Sequence, residues 1–202
     1  MLDDSEILDL IIAWLPPGGT VLDVGCGRGQ VLAALAERGV AGMGIDPYAS
    51  NAEHCRRLRA EEMDQLAERF DLVYAHYALH HFDAPPWFPE KARSVLRPGG
   101  VLLIVDWVEG AQTGVPERYF APHKVAGWVR EAGFGLMCQE VRGQSMIIVG
   151  KLPPAKVEVG DKHVEVKEVN IDACLRVPVS GVRGEVRETG AFHELCARNR
   201  VP

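Results

Sequence analysis

Three glycines at alternate positions, Gly25, Gly27 and Gly29, follow an acidic residue in the run Val21-Leu22-Asp23-Val24-Gly25-Cys26-Gly27-Arg28-Gly29. An apolar run of strand type leads into these glycines, and a helical pattern follows them. Glycine lets a backbone take positive φ and come close to a ligand, and a helix N-terminus offers unpaired N–H groups. A dinucleotide loop of G-x-G-x-x-G type would need its third glycine at position 30, where Gln30 stands. A phosphate loop ending in Gly-Lys-Ser/Thr is also absent. Asp23 at the strand end suits a positive ammonium better than a pyrophosphate. Asp46 ends a second strand pattern, where a carboxylate can accept from both hydroxyls of a ribose. The ligand that fits carries a ribose and a cationic group, with no pyrophosphate.

The elements that must hold these residues follow from periodicity. Residues 3–15 carry Ile7, Leu8, Ile11, Ile12 and Leu15 at helical spacing, with Asp3, Asp4 and Ser5 at the start and Pro16-Pro17-Gly18-Gly19 at the stop. Strands are predicted at 20–24, 41–45, 70–75, 101–106, 136–141 and 145–151, and helices at 30–38, 86–96 and 122–132. The alternation predicts a mainly parallel, doubly wound α/β sheet covered on both faces. The turn Arg142-Gly143-Gln144 is short enough to pair the last two strands, so one of them should run antiparallel.

With these motifs in order, residues 5–150 resemble the class I S-adenosylmethionine-dependent methyltransferase family, of Rossmann-like fold and small-molecule type. Asp23, Gly25, Gly27 and Gly29 match its Asp-x-Gly-x-Gly-x-Gly motif. Gly42-Met43-Gly44-Ile45-Asp46 resembles its second strand. The segments Phe70-Asp71-Leu72-Val73-Tyr74-Ala75-His76 and Ala78-Leu79-His80-His81-Phe82 resemble its fourth-strand motif. Leu96-Arg97-Pro98-Gly99-Gly100 and the stretch from Tyr119 to Phe134 resemble its later turn and helix. The resemblance implies S-adenosylmethionine as cofactor, with S-adenosylhomocysteine as product. It puts Asp23, Gly25, Cys26, Gly27 and Gly29 around the methionine part, Asp46 and Pro47 at the ribose, Ala60 and Glu61 at the adenine, and His76 beside the methionine moiety. Arg59 stands where the family pattern carries an acidic residue.

Methyl transfer from a sulfonium releases a neutral leaving group, so positioning supplies much of the rate. A base is needed only where the acceptor must lose a proton. Candidates at the mouth are His76, Tyr77, His80, His81, Asp106 and Trp107, with His76, Tyr77 and His80 taken as the catalytic set. The plainer reading makes His80 and His81 part of a structural turn, and Tyr77 and Trp107 packing residues. Asp71 and Cys26 read as structural.

The formal net charge of the 202 residues is −6, and the excess of acid lies before Gly150. No basic field for nucleic acid is visible. The acidic start, the absence of a long apolar run and the wide spacing of five cysteines point to a cytoplasmic chain with reduced thiols and no membrane partner. Leu152-Pro153-Pro154 divides a cofactor-binding domain, 1–150, from a β-rich appendage, 151–202, that begins with a hairpin about Gly160-Asp161. His163, Cys174, His193 and Cys196 are ligand types without finger spacing, and no metal is expected. The appendage reads better as a cover for the sheet edge or mouth, or as a homodimer contact. The acceptor expected is a small molecule, with a protein side chain as second choice. Two rivals are a nonenzymatic cofactor-binding or scaffold protein whose tail recruits a partner, and a nicotinamide oxidoreductase, which Gln30 argues against.

Overall fold

In the computed structural model, residues 1–49 and 54–155 are described, together with the backbone of Glu158–Val159 and Lys162–His163. The chain divides into a unit Met1–Val166 and a unit Lys167–Pro202. The second unit, and with it Cys174, His193 and Cys196, lies outside the described residues.

Helix α1, Asp4–Trp14, opens on a capping box: Asp3 accepts from the Glu6 N–H, and the Glu6 carboxylate accepts from the Asp3 N–H, both at 2.9 Å. Strand β1, Thr20–Val24, matches its predicted bounds, and α2, Gln30–Glu37, starts at Gly29. Strand β2, Ala41–Asp46, includes the acid at its end. Two short elements escaped the periodicity, β3, Cys55–Arg57, and a 3-10 turn, Ala60–Gln65. A three-residue strand offers no alternation to read. After them come β4, Phe70–His76, a 3-10 turn at Leu79–His81, α3, Phe88–Val95, and β5, Leu96–Trp107. The chain then forms α4, Pro122–Glu131, β6, Gly135–Arg142, and β7, Ser145–Lys151.

The seven strands lie in the order β3-β2-β1-β4-β5-β7-β6. All pairs from β3 to β5 are parallel, while β7 runs antiparallel to both β5 and β6. The doubly wound sheet and its antiparallel last strand are as expected. The predicted stop at Arg97-Pro98-Gly99-Gly100 falls inside β5. Pairing with β4 jumps there, from Phe70↔Leu96 to Leu72↔Val101, so these residues make an excursion within the strand. Gly99 takes φ +78 in it, and its N–H donates to the Pro153 carbonyl.

Both faces of the sheet are buried, and β5 shows why its run is apolar throughout. Val101, Leu103 and Val105 pack with Ile7, Ile11, Leu32 and Leu35 of α1 and α2. Leu102 and Ile104 face the other way, among Ala92, Val95, Val125 and Val129 of α3 and α4. Two further strands, β8, Glu158–Val159, and β9, Lys162–His163, pair antiparallel across positions 160 and 161. No helix among the described residues is long and apolar enough to cross a membrane.

Candidate functional site

From β1 the chain winds outward to β2, and β4 lies on the other side of β1. The carboxyl ends of β1 and β4 therefore flank the point where a doubly wound sheet opens a crevice. A cavity of about 480 Å³ lies there. Gly25 after β1, Asp46, Pro47 and Tyr48 at the end of β2, and Tyr77 and Ala78 after β4 line it. Ala60 and Glu61 form another wall, with Arg59, His81, Phe82 and Asp83.

The glycine loop has the conformation its composition predicts. Gly25, Gly27 and Gly29 take φ +83, +54 and +76. At Gly25 the need is also steric, since a Cβ would lie 2.4 Å from that of Ala78. The Gly25 and Cys26 N–H groups both donate to the Ile45 carbonyl, at 2.8 and 3.2 Å, which ties the loop to β2. Asp46 completes the tie: its carboxylate accepts from the Gly27 N–H at 3.1 Å and the Tyr48 N–H at 2.7 Å. A carboxylate has about four acceptor positions, so Asp46 keeps capacity for a ligand while it braces the loop.

Five of the ten residues expected at the cofactor line the cavity: Gly25, Asp46, Pro47, Ala60 and Glu61. Asp23, Cys26, Gly27, Gly29 and His76 do not. Asp23 is buried, 4% exposed, and by alternation shares the α1/α2 face of the sheet with Tyr74 and His76. Burial pushes the Asp23 carboxyl up to about 7; the Tyr74 hydroxyl beside it opposes the rise and the Asp46 carboxylate adds to it. That hydroxyl forms no hydrogen bond of full geometry, and neither does the buried His76 Nε2. Burial holds His76 below the usual histidine range. Three polar groups are thus gathered on one face near the strand ends, two of them with an unsatisfied atom. Cys26 is buried and its thiol is pushed well up, first by burial and then by Cys55, as befits a packing residue.

The three catalytic candidates differ. Tyr77 lines the cavity, but its hydroxyl accepts from the Leu2 N–H at 2.8 Å and lies 2.6 Å from the Ser145 hydroxyl. Its ring stacks on Trp107 at 4.6 Å, and it takes φ +47, rare for a side-chain-bearing residue. That turn brings His80 round to Asp106. The His80 side chain is 3% exposed. Its Nδ1 lies 2.7 Å from Asp106 Oδ1, and its backbone N–H donates to Oδ2 at 3.0 Å. His81 is 61% exposed at the cavity wall. Asp106 is buried and also accepts from the Trp107 N–H at 2.7 Å.

Three features were not read from the sequence. Tyr48 projects at the cavity, 88% exposed. Arg59 pairs with Asp83 along the adenine-side wall. Glu117 reaches the two histidines from the loop after β5, whose ends are closed by the Val108↔Phe120 bridge. The last two depend on contacts between segments distant in the chain, which no local spacing encodes. Asp71 is structural as expected, accepting from the Thr20 N–H and from Arg97, both at 2.8 Å.

Similarity to known proteins agrees with this arrangement. The structure resembles that of the [4+2]-cyclase SpnF, with TM-score 0.61 at 19% identity over 75% of this chain and 82% of that one. It also resembles the 1,6-didemethyltoxoflavin-N1-methyltransferase of Burkholderia thailandensis, solved with bound 1,6-didemethyltoxoflavin and S-adenosylhomocysteine. There the TM-score is 0.58 at 20% identity, over 74% and 76% of the two chains. These likenesses establish the fold. In sequence, the mitochondrial ubiquinone biosynthesis O-methyltransferase of Mus musculus is 34% identical over 104 residues, covering 43% of this chain and 28% of that protein. The chain matches only about a quarter to a half of the length of such curated relatives. The family described as Methyltransferase domain matches residues 4–139, from α1 into β6. That match spans well over half of the chain and includes every loop at the crevice. The chain belongs to the class I S-adenosylmethionine-dependent methyltransferase family.

Proposed function

We propose that this chain binds S-adenosylmethionine in the crevice at β1, β2 and β4 and transfers its methyl group to a small-molecule acceptor. The observation that carries the proposal is Asp46, which lines the cavity while it accepts from the Gly27 N–H. A single carboxylate thereby joins the glycine loop to the position that suits a ribose.

The residues present fit this cofactor. Asp23 and Tyr74 are buried and His76 is half-buried on one face, and the Tyr74 hydroxyl and His76 Nε2 make no hydrogen bond of full geometry. Buried polar groups are ordinarily satisfied, so an amino-acid head group with an ammonium and a carboxylate answers a need already present in the protein. Asp23 would meet the ammonium, with His76 and Tyr74 beside it. Gly25, Cys26, Gly27 and Gly29 would wrap the methionine part. Asp46 and Pro47 would hold the ribose, and Ala60 and Glu61 the adenine. The bound cofactor supplies a methyl group on a sulfonium, open to in-line displacement. The protein's own task is to orient the acceptor and exclude water. Tyr77 acts here as a positioning residue, because its hydroxyl is already engaged at Leu2 and Ser145. His81 lines the cavity, and Glu117 lies beside it and His80.

An acceptor oxygen is favoured by the ubiquinone biosynthesis O-methyltransferases among the relatives, and an aromatic small molecule by these together with a 2-methyl-6-phytyl-1,4-hydroquinone methyltransferase of Synechocystis. Calorimetry with S-adenosylhomocysteine, followed by transfer of labelled methyl to a panel of phenols, hydroquinones and amines, tests the proposal. Saturable binding with turnover of at least one acceptor is expected. Binding without turnover across the panel would return the scaffold alternative, and binding of NAD instead would overturn both.

A further inference from the structure

His80, His81 and Glu117 place one ligand atom each within 4.8 Å of one another. His80 Nε2 lies 3.3 Å from Glu117 Oε2, and His81 Nδ1 lies 3.8 Å from Glu117 Oε1. Ligands about 2.0–2.2 Å from a tetrahedral ion sit roughly 3.3–3.6 Å apart. One pair is therefore already at that spacing, and the exposed His81 ring can close the other.

A second observation comes from the far side of His80. Asp106 accepts from the His80 backbone N–H with one oxygen and faces Nδ1 with the other. Asp106 also takes the Trp107 N–H, so it serves only as acceptor. In a neutral His80 the ring proton then sits on Nδ1 and the Nε2 lone pair faces the Glu117 carboxylate. Two acceptors opposed at 3.3 Å call for a cation between them. A carboxylate behind a histidine is also the arrangement that orients metal-bound imidazoles. The Tyr119 hydroxyl donates to Glu117 Oε2 at 3.0 Å and holds the carboxylate in place.

We propose that His80 Nε2, His81 Nδ1 and Glu117 bind a divalent first-row ion of the zinc type. Two imidazoles and a carboxylate suit such an ion and leave coordination positions open. His81 lines the cavity, so the ion sits at its rim. An acceptor hydroxyl bound there loses its proton to solvent more readily, because the ion stabilises the oxygen anion. The oxygen pair then forms the new O–CH₃ bond as the S–CH₃ bond breaks and its electrons stay on sulfur. The role in catalysis rests on the methyl-transfer proposal; the binding of the ion does not.

The test uses the full chain, stripped by chelator, with Zn²⁺ titrated against a chromophoric competitor and Co²⁺ followed by its visible absorption. One ion per chain is expected, with Co²⁺ bands lacking thiolate charge transfer. His81→Ala and Glu117→Gln should each weaken binding by about tenfold or more, and Cys174→Ser with Cys196→Ser should leave it unchanged. Absence of binding, binding that survives both site variants, or loss in the cysteine double variant would overturn the proposal. S-adenosylhomocysteine affinity of the wild-type chain is measured separately. Zn²⁺ binding without it would sink the cofactor proposal and leave the metal site standing.

Discussion

At the scale of single residues, the acids at the strand ends carry the most. Asp46 was legible because its place at the end of an apolar run is a local property. Its hydrogen bonds from the Gly27 and Tyr48 N–H groups were not, since they depend on how the loop folds back. Asp46→Ala should weaken S-adenosylhomocysteine binding by about 1–3 kcal/mol, the scale of losing charge-assisted hydrogen bonds. Calorimetry checks this, and Asp46→Asn should recover part of the loss because one acceptor oxygen remains. Unchanged affinity in Asp46→Ala would refute the ribose role. Tyr77 shows the opposite case: its type suggested chemistry, while its hydroxyl joins Leu2 to Ser145. Tyr77→Phe removes two hydrogen bonds and keeps the stack on Trp107. Chemical denaturation should show a loss of about 1–3 kcal/mol, at roughly 1 kcal/mol per bond, with cofactor affinity little changed.

Among the elements, strands and helices with a clear period were read to within a residue or two, such as β1 at 20–24, α2 from Gln30 and α4 from Pro122, except β5, which begins at Leu96 and not at 101. The elements that escaped are those whose conformation is imposed from outside. Strand β3 exists because β2 offers it an edge, from Gly44↔Cys55 to Asp46↔Arg57. The turn at Leu79–His81 is shaped by Tyr77 at φ +47 and by Asp106 twenty-six residues beyond His80. Glu117 reaches the site because the Val108↔Phe120 bridge folds its loop back. The glycine loop allows a sharper test of what its residues do. A Cβ at Gly25 meets Ala78 at 2.4 Å, whereas one at Gly27 meets nothing within 4 Å. Gly25→Ala therefore combines left-handed strain with overlap, about 2–4 kcal/mol together, while Gly27→Ala carries only the strain, about 1–2 kcal/mol. Urea unfolding of the two variants should rank them in that order. Equal losses would mean that contact with Ala78 does not restrict the loop.

Across the whole molecule, one buried acid ties stability to pH, and the proposed cofactor site would draw on the same acid. The Asp23 carboxyl stands at about 7 in the folded chain against an ordinary value of 3.8. Between those values the folded protein keeps a proton that the unfolded chain releases. The stability this contributes is complete below about pH 4 and is lost as pH rises through 7, roughly 4 kcal/mol in all. His76 works in the other direction: its lowered value means the unfolded chain takes up a proton first as pH falls below the ordinary 6.5. Above pH 7 the ionised Asp23 is the larger cost, and a ligand ammonium placed beside it would remove that cost. S-adenosylhomocysteine should therefore raise the thermal midpoint more at pH 8 than at pH 5.5, when measured at matched ligand excess. Asp23→Asn, which cannot ionise, should unfold at a higher temperature than the wild type at pH 8 without ligand, and should lose most of the ligand's pH dependence. A ligand shift that is the same at both pH values in the wild type would separate Asp23 from the ammonium and leave it a structural acid beneath the crevice.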